Sequence, residues 1–356
     1  MALIMTTTAI VFIVARLLFF RPEIEKSDKG FLIFVVVVLT VIFGCRNALV
    51  SYGSDLNNYY RCFERAIELS REQFFKEDSF EKGYLWLNWI LARVIKWPQF
   101  ILFFQSAFCC GVTCRFIYKH TKDVLFSVLA FMSLGLMQFY STGFRQAFAI
   151  SICLIALELA ENRKLIGFII TLLIAMSIHQ TAIVFAIAYI LVNIKTNQLT
   201  IIIDLVIGGV LSQVAPRLLE IGNDTFDKDY IMMFSGNKLG GLINILIYLI
   251  PILIIIFDLY FNKDLRYDQR TEDLLDYRLF HILIIGVSLY VLRYQANVLE
   301  RISFYFTPVV IVMLPKTLKY AFSENFEKFV RWVFVLGMLF LISWRFKNFD
   351  YTPFWQ

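Results

Sequence analysis

From Phe31 to Gly44 the chain reads Phe-Leu-Ile-Phe-Val-Val-Val-Val-Leu-Thr-Val-Ile-Phe-Gly, without a charged side chain. Runs of this kind return along the whole length. Inside hydrocarbon a backbone must satisfy its own N–H and C=O groups, which a helix does, and about 20 apolar residues carry a helix across a bilayer. The chain is 59% hydrophobic with 37 Phe and a mean hydropathy of +0.68, against roughly 45–50% apolar residues in soluble chains. No soluble core uses that much apolar surface. The expected fold is therefore all-α, a polytopic integral membrane protein of about 12 transmembrane helices in a single membrane domain, residues 1–356.

Apolar helices are read at Ala2–Phe20, Phe31–Val50, Pro98–Lys119, Val124–Ser141, Arg145–Ala160, Leu165–Ile178, Thr181–Val192, Leu199–Val214, Gly241–Phe261, Leu279–Asn297, Ile302–Lys316 and Val330–Trp344. The first has no basic n-region and no small-residue cleavage motif, so it is read as a retained helix. Residues 51–97 form a first long polar segment. Within it Leu56, Tyr59, Tyr60, Phe63 and Ile67 recur at helical spacing over Asp55–Glu72, which predicts an amphipathic helix. Gly83–Trp97 is short for a span and is read as re-entrant or interfacial. Residues 215–240, with Asp224, Asp227, Lys228 and Asp229, form a second polar loop without the spacing of an EF-hand.

Lys+Arg exceed Asp+Glu by 34 to 28, a net +6. In a membrane protein this excess belongs to cytoplasmic loops rather than to nucleic acid. Arg21/Lys26/Lys29, Lys119/Lys122, Arg163/Lys164, Lys263/Arg266/Arg270 and Lys316/Lys319 fall on one side of an alternating chain, which makes that side cytoplasmic and turns both long loops outward. The parity requires a hairpin at His179-Gln180 and a Gly83–Trp97 segment that does not cross. The six Cys form no CxxC pair or zinc pattern; Cys109, Cys110, Cys114 and Cys153 read as packing residues, and a Cys45–Cys62 bridge across the first loop is disfavoured.

Arg46, Arg145, Arg293 and Arg301 run against that charge pattern. Each lies in or at the edge of an apolar run, on the outward side, where a single arginine is explained by snorkelling. Four together suit an anion, since guanidinium matches phosphate oxygens in a bidentate fork, and the start of the Arg145 helix adds free N–H groups. His179, one of three histidines, stands at a helix break on the same side, as a base, a phosphate ligand or a structural residue. Asp55 either caps the amphipathic helix or takes a proton at the membrane surface. Glu81 is a weaker carboxylate of the same kind. Tyr59, Tyr60, Trp86, Trp89 and Trp97 read as interfacial aromatics. No phosphate-cradling glycine loop, HExxH or nucleophile elbow is present.

Arg46, Gly53-x-Asp55-x3-Tyr59, Glu81-x-Gly83-Tyr84, Gly143-Phe-Arg145-Gln146-x2-Ala149, Ala175-x3-His179-Gln180-Thr-Ala182, Arg301-x3-Tyr305-Phe306 and Leu314-Pro315 stand in this order over roughly residues 40–320. In this order they resemble the EpsG family of Wzy-like bacterial polysaccharide polymerases. Gln180-Thr181 departs from the small hydroxyl residue that usually follows the histidine there. The resemblance implies a GT-C-like glycosyltransferase in the bacterial inner membrane, with its site facing the periplasm. It implies transfer of the growing O-antigen or exopolysaccharide chain from undecaprenyl pyrophosphate onto the next lipid-linked repeat unit, with inversion. No cofactor, metal or nucleotide sugar is implied. Its partners would be those lipid-linked units, membrane lipids and a chain-length-determining co-polymerase, without nucleic acid.

On that reading Arg145, Arg46 and Arg301, with Arg293, bind the pyrophosphate, Asp55 or His179 is the base, and Gln146, Glu81, Tyr59 and Tyr305 support them. A lipid-linked oligosaccharide flippase and an O-antigen ligase are the rival readings. The first favours internal pseudo-symmetry, which the sequence lacks. The second differs only in its acceptor.

Overall fold

The computed structural model describes residues 1–21, 27–50, 55–197, 199–210, 238–261, 277–294 and 297–356. Gly53, the acidic loop around Asp224–Asp229 and the basic cluster Lys263/Arg266/Arg270 fall outside them. Helix is the regular secondary structure of the described residues, with one isolated bridge between Arg46 and Pro353. Two compact units are present, Met1–Ala156 with Ile166–Ile183 and Val335–Gln356, and Leu157–Leu165 with Val184–Phe334.

The first unit begins with α1 (Ala2–Leu18) and α2 (Ser27–Gly44). Their connection is tied by the Arg16 guanidinium, which bonds Asp28 at 2.5 Å and the Phe20 carbonyl at 2.7 Å. The charge is buried but paired, as burial demands. The first long polar segment then makes α3 (Leu56–Glu68), α4 (Arg71–Glu77) and α5 (Lys82–Val94). The single Asp55–Glu72 helix expected from periodicity is thus two. Ser70 and Gln73 form a reciprocal capping box that starts α4, a local signal strong enough to end one helix and begin another. α3 buries Leu56, Tyr59, Cys62, Phe63 and Ala66; of the stripe expected from spacing, Leu56, Tyr59 and Phe63 are buried, while Tyr60 and Ile67 are half-buried and Cys62 and Ala66 take their place. Arg93 closes the platform. Its guanidinium lies 3.9 Å over the Trp89 ring and donates to the Ala66 carbonyl near the end of α3.

Behind this platform run α6 (Phe100–His120), α7 (Val124–Ser133), α8 (Leu136–Tyr140), α9 (Phe144–Glu161) and α10 (Leu165–Ile178). The Val124–Ser141 helix of the sequence reading is broken at Gly135, whose φ of 93° is left-handed, a conformation glycine enters without a Cβ penalty. Phe31–Val50 likewise stops at Gly44, so Arg46 stands beyond the helix. Gly44 faces the Phe103 ring, where a Cβ would collide.

α10 ends at the expected residue, but the next segment is a 3₁₀ helix, Gln180–Ile187, followed by the single turn α11 (Ala188–Leu191). The second unit continues with α12 (Leu199–Val210), α13 (Lys238–Phe261), α14 (Tyr277–Val291), α15 (Asn297–Ser303) and α16 (Val310–Ala321), and α17 (Glu324–Phe346) closes the chain. Its buried polar groups are paired. His281 meets Asp204 at 2.5 Å and Thr196 at 2.9 Å, and Asn244 donates to the Tyr290 hydroxyl at 2.8 Å.

Four described helices are long and apolar enough to cross a membrane, Ser27–Gly44, Phe100–His120, Leu239–Phe261 and Glu324–Phe346. The other apolar helices have 10–17 residues. Of the dozen apolar stretches, Val124–Ser141 is broken at Gly135 and Ile302–Lys316 at the 3₁₀ turn Thr307–Val309, so that neither is a single helix. All six cysteines are unbridged, as their spacing suggested.

Candidate active site

Glu81 sits at the N-cap position of α5 but does not cap it. Its carboxylate instead reaches across to two other helices. One oxygen, Oε2, pairs with Nη1 of Arg145, the second residue of α9. The other, Oε1, meets Nδ1 of His179 at 3.0 Å, where α10 gives way to the 3₁₀ helix, and the Gln180 amide at 3.5 Å. Residues 64 and 98 positions apart are thereby joined through one side chain. The side chains of Arg145 and His179 are each 21% exposed and that of Glu81 15%, so the cluster is half-buried and open on one side.

Aromatic rings frame the guanidinium. Arg145 Cζ lies 4.2 Å from the Phe80 ring centre and 5.9 Å from that of Tyr59. Tyr59 in turn stacks on Phe144 at 5.5 Å and meets Tyr84 edge-on at 6.0 Å. Such faces attract a cation and keep water from it. Burial pushes the Tyr59 phenol up, with the Arg145 charge opposing. Arg145 Nε is buried and has no acceptor among the described protein atoms. A buried unsatisfied donor is costly.

The approach of α5 to α10 depends on Gly83. A Cβ there would run into the Oγ, Cβ and carbonyl oxygen of Ser177. Gly83→Ala is expected to cost about 1–3 kcal/mol by overpacking and to part Glu81 from His179. Thermal unfolding in detergent checks the first. Loss of polymer with normal membrane insertion checks the second. Ser177→Gly should recover little, because its carbonyl remains in the way.

Burial alone would raise the Glu81 carboxyl, but the hydrogen bond with His179 and the charge of Arg145 outweigh it and lower it from 4.5 to about 2. A group depressed in the folded state contributes stability above its unfolded value and loses it as pH falls through the folded one. The melting temperature is therefore expected to fall between about pH 4.5 and pH 2, and Glu81→Gln should flatten this part of the profile.

The other sequence candidates are placed as follows. Asp55 is the exposed N-cap residue of α3, without a side-chain capping bond, and no hydrogen bond or ion pair joins it to Arg145, Glu81 or His179. Gln146 is buried in α9. Arg46 is 4% exposed and donates to the Ser141 carbonyl at 2.7 Å. Arg293, Arg301 and Tyr305 belong to the second unit. There Arg293 bonds the Tyr290 hydroxyl at 2.5 Å and Glu300 at 2.8 Å, Arg301 is exposed on α15, and Tyr305 is buried. The sequence ranked Glu81 below Asp55 and passed over Phe80 and Phe144. Only the Glu81-x-Gly83 spacing hinted at the first, and nothing marked the two rings among 37 phenylalanines.

Apolar helices of spanning length and a half-buried Arg–Glu–His cluster define an integral membrane protein with an ionic site. A family model for the EpsG family matches residues 29–355. The chain belongs to the EpsG family, and its membership points to a function of the polysaccharide-polymerase type. Comparison with curated proteins and with solved structures finds no match.

Proposed function

We propose that the protein is a polysaccharide polymerase that moves a growing O-antigen or exopolysaccharide chain from polyprenyl pyrophosphate onto a lipid-linked repeat unit at the outer face of the bacterial inner membrane. The observation that carries this reading is the Arg145–Glu81–His179 cluster, because it supplies both halves of such a transfer. The acceptor sugar hydroxyl forms a bond to the anomeric carbon, and the bond from that carbon to the pyrophosphate oxygen breaks. The electron pair leaves with the lipid pyrophosphate, and the hydroxyl proton goes to a base. Attack opposite the leaving group inverts the anomeric centre.

His179 is the base in this scheme. An ionised carboxylate accepts but does not donate, so its contact with Nδ1 places the imidazole proton there and the lone pair on Nε2. This is the orientation of a histidine poised to take a proton, and the carboxylate then stabilises the imidazolium. Glu81 positions it and does not touch substrate. Asp55, exposed and unattached to the cluster, is the weaker choice. Arg145 sets its guanidinium charge against the pyrophosphate, in a setting where fixed charge counts most at the developing negative charge. Its pairing with Glu81 keeps the guanidinium aimed before the lipid arrives. The GT-C-like arrangement, the co-polymerase and the independence of cofactor and metal belong to the same reading.

Purified protein incubated with the lipid-linked repeat unit alone tests it. Lengthening without a nucleotide sugar supports the polymerase. Transfer onto lipid A core but not onto repeat units would assign the ligase. Movement of the unit across a vesicle bilayer without glycosidic bond formation would assign the flippase.

A further inference from the structure

We infer that Arg46 and Gln99 are positioning residues for Arg145, holding the turn from which α9 starts, and that Arg46 does not itself bind the lipid pyrophosphate. The inference rests on the polymerase reading for its kinetic consequences but on the geometry for its placement.

Arg46 stands two residues beyond the end of α2. Its Nη1 donates to the carbonyl of Ser141 at 2.7 Å, where α8 ends. Ser141 itself is 2% exposed and Arg46 4%, so this is a buried charged donor on a buried carbonyl. Immediately afterwards the first turn of α9 closes through Ala147 N on the Gly143 carbonyl at 2.8 Å. Arg145 lies within that turn. The Arg46 side chain therefore pins the backbone from which the cluster arginine projects.

Arg46 is in turn fixed from both sides. The Gln99 amide, 3% exposed at the start of α6, donates to the carbonyls of Gly44 at 2.6 Å and of Arg46 at 2.7 Å. On the other side Asn47 N donates to the Thr352 carbonyl at 2.7 Å and Phe354 N to the Cys45 carbonyl at 2.9 Å, flanking the Arg46–Pro353 bridge. The Tyr351 hydroxyl donates to the Ile42 carbonyl at 3.1 Å. All these residues lie in the first unit. A short extended segment bonded along both edges has little freedom, so the backbone from which the guanidinium reaches Ser141 is held. Moving Nη1 onto a phosphate would strip the buried Ser141 carbonyl of its donor.

The test measures chain lengthening by the purified protein on the lipid-linked repeat unit, together with hydrogen exchange over residues 141–147. The variants are Arg46→Ala, Arg46→Lys, Gln99→Leu and the double Arg46→Ala/Gln99→Leu. Positioning predicts a maximal rate lowered about tenfold or more in Arg46→Ala, with KM for the lipid-linked donor changed by less than about twofold. It predicts faster exchange in both single alanine and leucine variants, a double variant no slower than the slower single, and partial rescue in Arg46→Lys, whose ammonium still donates to a carbonyl. A KM raised about tenfold at an unchanged maximal rate, or losses that multiply in the double variant, would overturn the inference. So would unchanged exchange in Arg46→Ala and Gln99→Leu. If the wild type fails to lengthen chains while exchange responds as stated, the polymerase reading falls and the placement of Arg46 stands.

Discussion

Arg145→Ala is expected to lower chain lengthening by about two to three orders of magnitude, the loss seen when one charge-stabilising donor is removed from a site, while the protein remains in the membrane. The variant also leaves the Glu81 carboxylate without its cation. Breaking a buried pair by removing one partner costs about 3–5 kcal/mol, and the half-open cluster here should lie at or below the lower end. Arg145→Ala with Glu81→Gln separates the two effects. The double variant should regain thermal stability, because no unpaired charge remains, and should not regain activity, because the leaving pyrophosphate still lacks its guanidinium. Arg145→Lys should keep the pairing and recover only part of the rate, since an ammonium is a point charge without the planar fork. Full polymer ladders from Arg145→Ala cells would remove Arg145 from the site.

Glu81→Gln is the second large effect, about 10²–10⁴-fold in rate. The change is nearly isosteric, so its cost reports on proton placement rather than packing. A carboxylate fixes the proton of His179 on Nδ1. An amide can turn its NH₂ toward that nitrogen and drive the proton to Nε2, which then cannot accept one from the acceptor sugar. His179→Ala should lose a similar factor, and adding Glu81→Gln to it should cost only the part of the Glu81 loss that comes from aiming Arg145, since the proton-placement part is already gone. Losses that multiply in full would show that Glu81 does not act through His179. A fully active His179→Ala would return the base to Asp55.

Two members of the proposed site were legible as residue types. Arg145 at a helix start and His179 at a helix break are local features, and local chain chemistry places both. α3 was legible for the same reason, because a stripe at helical spacing needs only one partner surface. Glu81 was ranked low, because its importance lies in distance. It joins residues far apart in the chain, and only the close approach of α5 to α10 at Gly83 lets it do so. Arg46 is the opposite case. An arginine after an apolar run reads as an anion ligand, and its occupation by the Ser141 carbonyl cannot be foreseen without knowing that residues 46 and 141 meet. The break at Gly135 was missed because apolar continuity conceals a change in backbone conformation.

By itself the sequence determined the solvent. Apolar runs of this length leave a backbone no alternative to helix in hydrocarbon, and the ordered motifs placed the chain in the EpsG family. The tertiary structure alone decided which polar side chains act together. In a low-dielectric interior each charge must find a partner, and those partners come from other helices. The pairing of Glu81 with Arg145 and His179, and of Arg46 with Ser141, was therefore settled by how helices approach and not by any spacing along the chain.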